Sequence, residues 1–338
     1  MLGALYLGKD KGMKIAELEK PVISGPDDVI IKMRACGICG SDLHTLELTL
    51  PKPVVLGHEC AGEVAEVGRA VRNVAIGDHV VVDPNFYCGT CRNCLYGRTN
   101  LCENLVELGV LANGGFAEYL LVPGRFAMKI SRDVDWTTAA VVEPLSCVIH
   151  GFLKARLVPG QSAVVFGAGP IGLLWVYLLR RAGAKMIISV DISSIRRKAA
   201  ADLGADVAVD PLIENTFDRV KKETQGYGVN VAVEAIGKAE TVESAVRSLA
   251  NGGRAILMGV ASRDALARIS PLAVMGREIE ILGTNSQVHS FLDAIRLIES
   301  REFPTKKFVS HELPLSDIVQ AFDMNRKGES LKTIIHMH

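Results

Sequence analysis

The chain has 338 residues, of which 49% are hydrophobic and 22% charged, and its formal net charge at pH 7 is +0. This length is enough for about two domains of ordinary size. The balanced charge argues against nucleic acid or an anionic membrane as partner, and no apolar run reaches the roughly 18 residues that span a bilayer. Because the N-terminus lacks a signal-peptide pattern, we expect a cytoplasmic location.

The first half of the chain is predicted to be rich in β-strands. Residues 29–35 alternate apolar and polar side chains, as in a half-buried strand. Residues 54–68, 77–84 and 114–123 are further strand candidates, punctuated by glycine and proline. The sequence therefore predicts a β-rich N-terminal domain.

The segment from Cys39 to Glu59 concentrates side chains that bind metals. Cys39, His58 and Glu59 together are a typical ligand set for zinc, and a catalytic zinc keeps one coordination position open. Cys36 precedes Cys39 with C-x-x-C spacing. The two cysteines could form a redox pair, or only one of them could be a metal ligand. The hypothesis is a zinc ion acting as a Lewis acid, with a third ligand from elsewhere in the chain.

The candidates for this third ligand lie in residues 141–151. Glu143 is an acidic residue in an otherwise apolar run, and a buried carboxylate is costly unless it is paired or bound to a metal. The alternative for Glu143 is a favourable interaction with a helix N-terminus. Cys147 and His150 compete for the ligand role.

A second metal site is predicted from Cys88, Cys91, Cys94 and Cys102, which have the spacing C-x2-C-x2-C-x7-C. In a reducing compartment, clustered cysteines indicate metal binding rather than disulfides. Four thiolates close a tetrahedral shell, which is typical of structural zinc. An iron–sulfur cluster is the alternative, but ferredoxin motifs have a different final spacing and a proline after the last cysteine, whereas Glu103 stands here.

From about residue 160, strand and helix patterns alternate. The strand candidates are 162–167, 186–191, 206–210, 229–237, 253–260 and 278–285, and the helix candidates between them include 217–224 and 240–251. This count of strands is that of a doubly wound dinucleotide-binding sheet. Helices over 289–302 and 315–328 and a strand over 331–337 follow, and we expect this tail to complete the first domain.

A dinucleotide-binding turn is predicted directly after the first of these strands. The sequence GAGPIG supplies Gly167, Gly169, Pro170, Ile171 and Gly172. Its glycines permit a tight turn and close approach of a pyrophosphate to a helix N-terminus. Gly259 and Val260, at the end of the fifth strand candidate, are also predicted to contact the cofactor.

Asp191 lies 19 residues after Gly172, near the spacing expected for the acid that binds the cofactor ribose. A carboxylate accepts hydrogen bonds from the ribose hydroxyls of NAD and repels the 2′-phosphate of NADP. Arg196, Arg197 and Lys198 lie close by and would weaken that repulsion, or would form the exposed face of a helix. We expect NAD.

These motifs together resemble the zinc-dependent medium-chain dehydrogenase/reductase superfamily. The resemblance covers nearly the whole chain and rests on GICGSD, GHE, the cysteine cluster, EPLSC, GAGPIG and Asp191. It implies an α/β protein: a GroES-like zinc-binding catalytic domain over 1–147 and 286–338, and a Rossmann domain with a doubly wound parallel six-stranded sheet over 148–285. It also implies one catalytic and one structural zinc per chain, and a homotetramer or dimer.

The resemblance further implies residue roles. Cys39, and not Cys36, is the zinc ligand, with His58 and Glu143. Glu59 coordinates zinc directly or exchanges with water. Ser41 and His44 match a proton relay that runs through the nicotinamide ribose.

The implied reaction is hydride transfer between a secondary alcohol and NAD, giving the ketone, with zinc lowering the pKa of the substrate hydroxyl. EPLS is similar to the sorbitol dehydrogenase branch, whose substrates are polyols. Two departures put sorbitol itself in doubt: Ser286 stands about where that branch has an arginine, and the loop 45–52 has no aromatic residue. The alternatives are threonine or amino-alcohol oxidation, and a non-catalytic protein that binds NAD and zinc.

Overall fold

The computed structural model describes residues 1–47, 52–300 and 302–337. Three predicted segments include residues outside this part: residues 48–51 of the loop 45–52, residue 301 of the helix 289–302, and residue 338 at the end of the tail. The chain divides into two compact units. The β-rich unit comprises Met1–Ser146 and Gln287–His338, and the nucleotide-binding unit comprises Cys147–Ser286.

The secondary structure is as follows. The strands are β1 (Leu2–Tyr6), β2 (Met13–Glu17), β3 (Asp28–Gly37), β4 (Val54–Val55), β5 (Glu59–Val67), β6 (His79–Val82), β7 (Asn85–Phe86), β8 (Val106–Glu107), β9 (Tyr119–Pro123), β10 (Ala127–Lys129), β11 (Ser162–Phe166), β12 (Met186–Val190), β13 (Val207–Val209), β14 (Val229–Glu234), β15 (Leu249–Leu257), β16 (Glu280–Gly283), β17 (Val309–Pro314) and β18 (Lys332–His336). The α-helices are α1 (Gly40–Thr45), α2 (Arg92–Leu95), α3 (Trp136–Ala139), α4 (Val142–Ala155), α5 (Pro170–Arg181), α6 (Ser194–Asp202), α7 (Thr216–Glu223), α8 (Ala239–Ser248), α9 (Pro271–Gly276), α10 (Phe291–Glu299), α11 (Thr305–Phe308) and α12 (Ile318–Arg326).

The main sheet of the β-rich unit has the order β10-β6-β5-β3-β18-β17, and β9 also pairs with β3. Antiparallel pairing of β3 with β5 sets Gly37 opposite Glu59. Pairing of β3 with β18 sets Gly37 opposite Ile334, so the C-terminal tail joins the strand that leads to Cys39. The register therefore brings three distant segments together at one end of β3.

The apolar core of this unit forms where the alternating strands pack their inward side chains. Ile31 and Met33 of β3, with Leu56 and Phe116, are among its fully buried members. The predicted strand 114–123 begins only at Tyr119. The reason is that Gly114 and Gly115 instead donate backbone hydrogen bonds to the carbonyls of Val55 and Gly57, directly before His58.

The structure describes every residue of the nucleotide-binding unit, 147–286. This unit contains a parallel sheet of six strands in the order β13-β12-β11-β14-β15-β16. This is the doubly wound order, with the switch point between β11 and β14. The predicted fold class is confirmed. One boundary differs: residues 249–251, predicted as helix, begin β15, because buried Leu249 is extended and pairs with Val229.

One stretch of the described residues, Trp136–Ala155, is long and apolar enough to cross a membrane by length and composition, with a mean hydropathy of 1.2. Its most apolar window is 78% buried inside the protein. This is the behaviour of a core helix, so the stretch is weak evidence for a membrane span.

Candidate active site

Cys39, His58 and Glu59 lie together at the end of β3. One ligand atom from each side chain lies within 4.8 Å of the others. Cys39 caps the N-terminus of α1, and His58 and Glu59 mark the start of β5, so the register of β3 and β5 positions all of them. The predicted ligands from this segment are therefore brought together.

The chemistry of this cluster fits a zinc ion. Thiolate, imidazole and carboxylate are all zinc ligands. Glu59 is fully buried, and its Oε1 atom accepts no hydrogen bond from the residues that the structure describes. A buried acceptor of this kind needs a partner, and a cation would supply one.

Asp42 orients the imidazole of His58. Its Oδ1 atom lies 3.4 Å from Nδ1 of His58, and its Oδ2 atom accepts a hydrogen bond from the backbone N–H of Cys39 at 2.9 Å. Burial alone would lower the pKa of His58, but the charge of Asp42 and hydrogen bonds to Asp42 and Cys39 raise it well above its ordinary value. A carboxylate on one ring nitrogen leaves the other for a metal.

The two predicted relay residues lie on α1, one helical turn apart. The Oγ atom of Ser41 lies 3.5 Å from Nε2 of His58, and its side chain is half-buried. His44 is exposed. Residues three apart share a helix face, so α1 presents a hydroxyl near the metal ligands and an imidazole toward solvent.

Lys332 is a buried member of this site that the sequence did not predict. Its ammonium forms an ion pair with Glu59 and donates a hydrogen bond to the carbonyl of Ile38 at 2.8 Å. Burial alone would lower the pKa of Lys332, but the charges of Glu59 and Cys39 raise it above its ordinary value. The only signal in the sequence was a lysine inside the predicted strand 331–337.

Glu143, the predicted third ligand, lies in the first turn of α4 and is 6% exposed. Its charge contributes to raising the pKa of Lys332. Among the described residues, however, the group of ligand atoms within 4.8 Å contains Cys39, His58 and Glu59 and does not include Glu143. Of the competing candidates, His150 donates from Nδ1 to the carbonyl of Ser286 at 2.7 Å.

The four-cysteine cluster has the dimensions of a zinc–thiolate site. Sulfur–sulfur distances include 3.5 Å for Cys91–Cys94, 3.5 Å for Cys88–Cys102 and 3.9 Å for Cys91–Cys102. Four sulfurs at about 2.3 Å from a tetrahedral zinc would lie about 3.8 Å apart. Hydrogen bonds from the N–H and hydroxyl of Thr90 and the N–H of Cys91 lower the pKa of Cys88 to about 5, which favours the thiolate.

In the nucleotide-binding unit, the turn GAGPIG joins β11 to α5. Gly167 has a φ of +92°, and a Cβ atom on Gly172 would lie 1.7 Å from the Gly167 carbonyl oxygen. Pro170 occupies the first turn of α5, followed by Ile171. At Gly169 the nearest atom to an added Cβ would be Nη1 of Arg196 at 4.0 Å. The turn is thus tight and open at Gly169, as a pyrophosphate requires.

Asp191 follows β12 and faces this turn. Its Oδ2 atom accepts from the N–H of Ala168 and its Oδ1 atom from that of Ser193, each at 2.8 Å. A carboxylate has about four acceptor positions, so two remain for ribose hydroxyls. Arg197 instead forms an ion pair with Asp210 at 2.9 Å. Gly259 and exposed Val260 lie just beyond β15.

Comparison with known proteins identifies the family of this chain. Residues 25–132 match the family model described as the alcohol dehydrogenase GroES-like domain, and residues 170–300 match that of the zinc-binding dehydrogenases. L-threonine 3-dehydrogenase from Bacillus velezensis is 33% identical, over 96% of this chain and 95% of its own length. The chain belongs to the zinc-dependent medium-chain dehydrogenases.

Other medium-chain dehydrogenases are equally similar. Sorbitol dehydrogenase from Bacillus subtilis is 32% identical over 98% of this chain and 96% of its own length. The crystal structure of a zinc-binding dehydrogenase from Sinorhizobium meliloti bound to NADP has a TM-score of 0.93 and 32% identity, covering 99% of this chain and 98% of that one. The similar identities to these relatives do not distinguish one alcohol substrate from another.

The family membership confirms the predicted activity class and cofactors. This medium-chain dehydrogenase is an NAD(P)-dependent zinc alcohol dehydrogenase, and its homologues act on small alcohol substrates. The roles of individual residues at the site remain predictions. Besides Lys332, Asp42 is a residue of the site that no motif predicted, although an acid directly after Ser41 was the available signal.

Proposed function

We propose that this chain oxidises a secondary hydroxyl group to a ketone with NAD, and reduces the ketone in the reverse direction. The observation that carries the proposal is the convergence of Cys39, His58 and Glu59 within 4.8 Å, beside a helix that bears Ser41 and His44. When bound, zinc supplies a Lewis acid for the hydroxyl oxygen and NAD a hydride acceptor.

In this proposal each residue has a distinct task. Cys39 and His58 hold the metal, Asp42 fixes the tautomer of His58, and Glu143 or Glu59 completes the shell. Ser41 relays the proton of the substrate hydroxyl: it accepts that proton and gives up its own, which passes on toward His44. His44, exposed on the same helix, delivers a proton to solvent. The four-cysteine cluster holds the structural zinc and takes no part in the chemistry.

For the cofactor, the proposal assigns the pyrophosphate to the GAGPIG turn and the ribose to Asp191. A buried carboxylate with free acceptor positions favours the 2′-hydroxyl of NAD over the 2′-phosphate of NADP. Arg197 is paired with Asp210 and is therefore not disposed to bind a phosphate. The neighbour bound to NADP makes this preference worth measuring.

For the substrate, we propose a polyol, diol or sugar derivative. The segment EPLS at residues 143–146 supports this class, and the serine at position 286 argues against sorbitol itself. L-threonine is the second candidate, because threonine dehydrogenases match this chain as well as sorbitol dehydrogenase does. We also propose a cytoplasmic homo-oligomer, either a tetramer or a dimer.

The test is NAD⁺ reduction by the zinc-loaded protein across polyols, vicinal diols, sugar acids, sugar phosphates and L-threonine. We expect a polyol or diol to have the highest kcat/KM. Highest turnover of L-threonine would replace the leading proposal with the second one. If the protein binds zinc and NADH in separate measurements but oxidises no secondary alcohol, the result would support a non-catalytic protein.

A further inference from the structure

Glu234 is a buried acid at the carboxyl end of β14, and it belongs to none of the functional motifs of the sequence. It is 1% exposed. Its Oε1 atom accepts hydrogen bonds from the backbone N–H groups of Ile236 at 2.9 Å and Gly237 at 2.8 Å, and from the hydroxyl of Thr241 at 2.8 Å. The carboxylate therefore shapes the loop between β14 and α8.

The same residue also ties down the loop after β15. The backbone carbonyl of Glu234 accepts from the N–H groups of Met258 at 2.9 Å and Gly259 at 3.0 Å. Gly259 and Val260 were predicted from the sequence to contact the cofactor. One residue thus connects the loops that follow two neighbouring strands.

These loops pack too closely to shift independently. A Cβ atom on Gly237 would lie 2.3 Å from the carbonyl oxygen of Val260, and one on Gly259 would lie 2.1 Å from the backbone nitrogen of Gly237. A Cβ atom on Gly167, in the cofactor turn, would lie 2.7 Å from the side chain of Ile236. The two loops that are hydrogen-bonded to Glu234 thus contact each other, and the first of them contacts the cofactor turn through Ile236.

Glu234 belongs to none of the ion pairs found among the described residues, and its Oε1 atom accepts hydrogen bonds from N–H and O–H groups. Its Oε2 atom is buried and accepts no hydrogen bond from the residues described. Such an atom is costly for stability and calls for a functional explanation. Because Asp191 assigns the adenosine half to β12, the half of the sheet with β14 and β15 receives the nicotinamide.

We infer that Glu234 is a positioning residue for the nicotinamide half of the cofactor site, and that its buried negative charge favours the positively charged ring of NAD⁺ over the neutral ring of NADH. The hydrogen bonds of Glu234 account for the positioning of the loops. The preference for the charged ring follows because a charge in a weakly screened interior acts over several ångströms. The inference rests on the proposed cofactor site.

The experiment compares Kd values for NAD⁺ and NADH in the zinc-loaded protein, by calorimetry and fluorescence. For Glu234→Gln we expect Kd for NAD⁺ to rise about tenfold and Kd for NADH to rise less than about threefold, the scale of a unit charge at about 10 Å and an effective dielectric constant of about 20. Thr241→Val keeps the charge and removes the hydroxyl, which lies 2.8 Å from Oε1 of Glu234 and 2.9 Å from the carbonyl oxygen of Lys238. It should raise both Kd values together and leave their ratio unchanged.

Ser248→Ala is the matched control, because it removes a buried hydroxyl hydrogen bond in the same unit, to the carbonyl of Ser244. It should change neither Kd. If Glu234→Gln raises both Kd values equally, or neither, the charge role is overturned. Amide hydrogen exchange at Ile236 and Gly237 in Thr241→Val tests the positioning role even if Glu234→Gln does not fold; unchanged exchange overturns it. Absence of NADH binding by the wild-type protein would instead refute the proposed cofactor site.

Discussion

Lys332 and Glu59 form a buried ion pair beside the candidate metal ligands, with side-chain exposures of 3% and 0%. A buried pair stabilises little in itself, because desolvation offsets the attraction, but removal of one partner leaves an uncompensated charge. The stability of the folded state therefore depends on Lys332, because without it the carboxylate of Glu59 would be a buried charge with no partner.

We therefore expect Lys332→Met to lower the free energy of unfolding by about 3–5 kcal/mol, measured by urea denaturation at fixed zinc concentration. The double variant with Glu59→Gln should recover most of this loss. Lys20→Met is the control, because Lys20 pairs with Glu66 on the surface, and it should have no measurable effect. Equal effects of the two lysine variants would contradict the assignment.

The identity of the third zinc ligand can be decided by comparing Glu143→Gln with Glu59→Gln. We expect Glu143→Gln to lose the catalytic zinc and to lower kcat/KM by about 100-fold or more, because Lewis-acid catalysis contributes several kcal/mol. Zinc content by mass spectrometry and Kd for NADH are the readouts, and the latter should not change.

Glu63→Gln is the control for this comparison, since Glu63 lies on the same strand as Glu59 but pairs with Arg34. It should keep both zinc ions and full activity. If Glu143→Gln retains its zinc while Glu59→Gln loses it, Glu59 is the ligand and Glu143 is not.

Cofactor preference should depend on Asp191. Asp191→Ala removes the carboxylate that repels a 2′-phosphate, so we expect the ratio of kcat/KM for NAD to that for NADP to fall about tenfold or more. Asp210→Asn frees Arg197 but keeps Asp191, and should leave NAD preferred. An unchanged ratio in Asp191→Ala would show that the ribose contact lies elsewhere.

Stability should depend on pH through Asp83. Burial raises the pKa of Asp83 from 3.8 to about 6, although hydrogen bonds from Asn85 and Gln287 oppose the shift. The folded state therefore holds the proton more tightly than the unfolded state, and this contribution to stability is lost as pH rises from about 4 to about 6. The loss is at most about 3 kcal/mol.

Asp83→Asn keeps acceptors for both hydrogen bonds and should flatten this part of the profile of melting temperature against pH. Asp78 should affect stability in the opposite direction, because its pKa is lowered, chiefly by the hydrogen bond from Lys129. Its contribution to stability is therefore present above the unfolded pKa and is lost as pH falls. Asp78→Asn should lose stability above about pH 4. A wild-type profile identical to that of Asp83→Asn would refute the role of Asp83.

Much of this protein could be read from short motifs. The C-x2-C-x2-C-x7-C spacing predicts a cluster whose sulfur atoms do lie at zinc–thiolate distances. The strand, GAGPIG and helix sequence predicts a turn that is indeed open at Gly169. These features are local: a few adjacent residues determine their own backbone, so spacing alone carries the information.

The tertiary structure decided what depends on strand register. Only the pairing of β3 with β5 and β18 places Lys332 against Glu59, and only the packing of the loops after β14 and β15 makes Glu234 a link between them. Neither residue belongs to a motif, because its role comes from neighbours far away in the sequence. The sequence by itself therefore determined the family, the metals and the cofactor turn, whereas the charges that surround these sites required the fold.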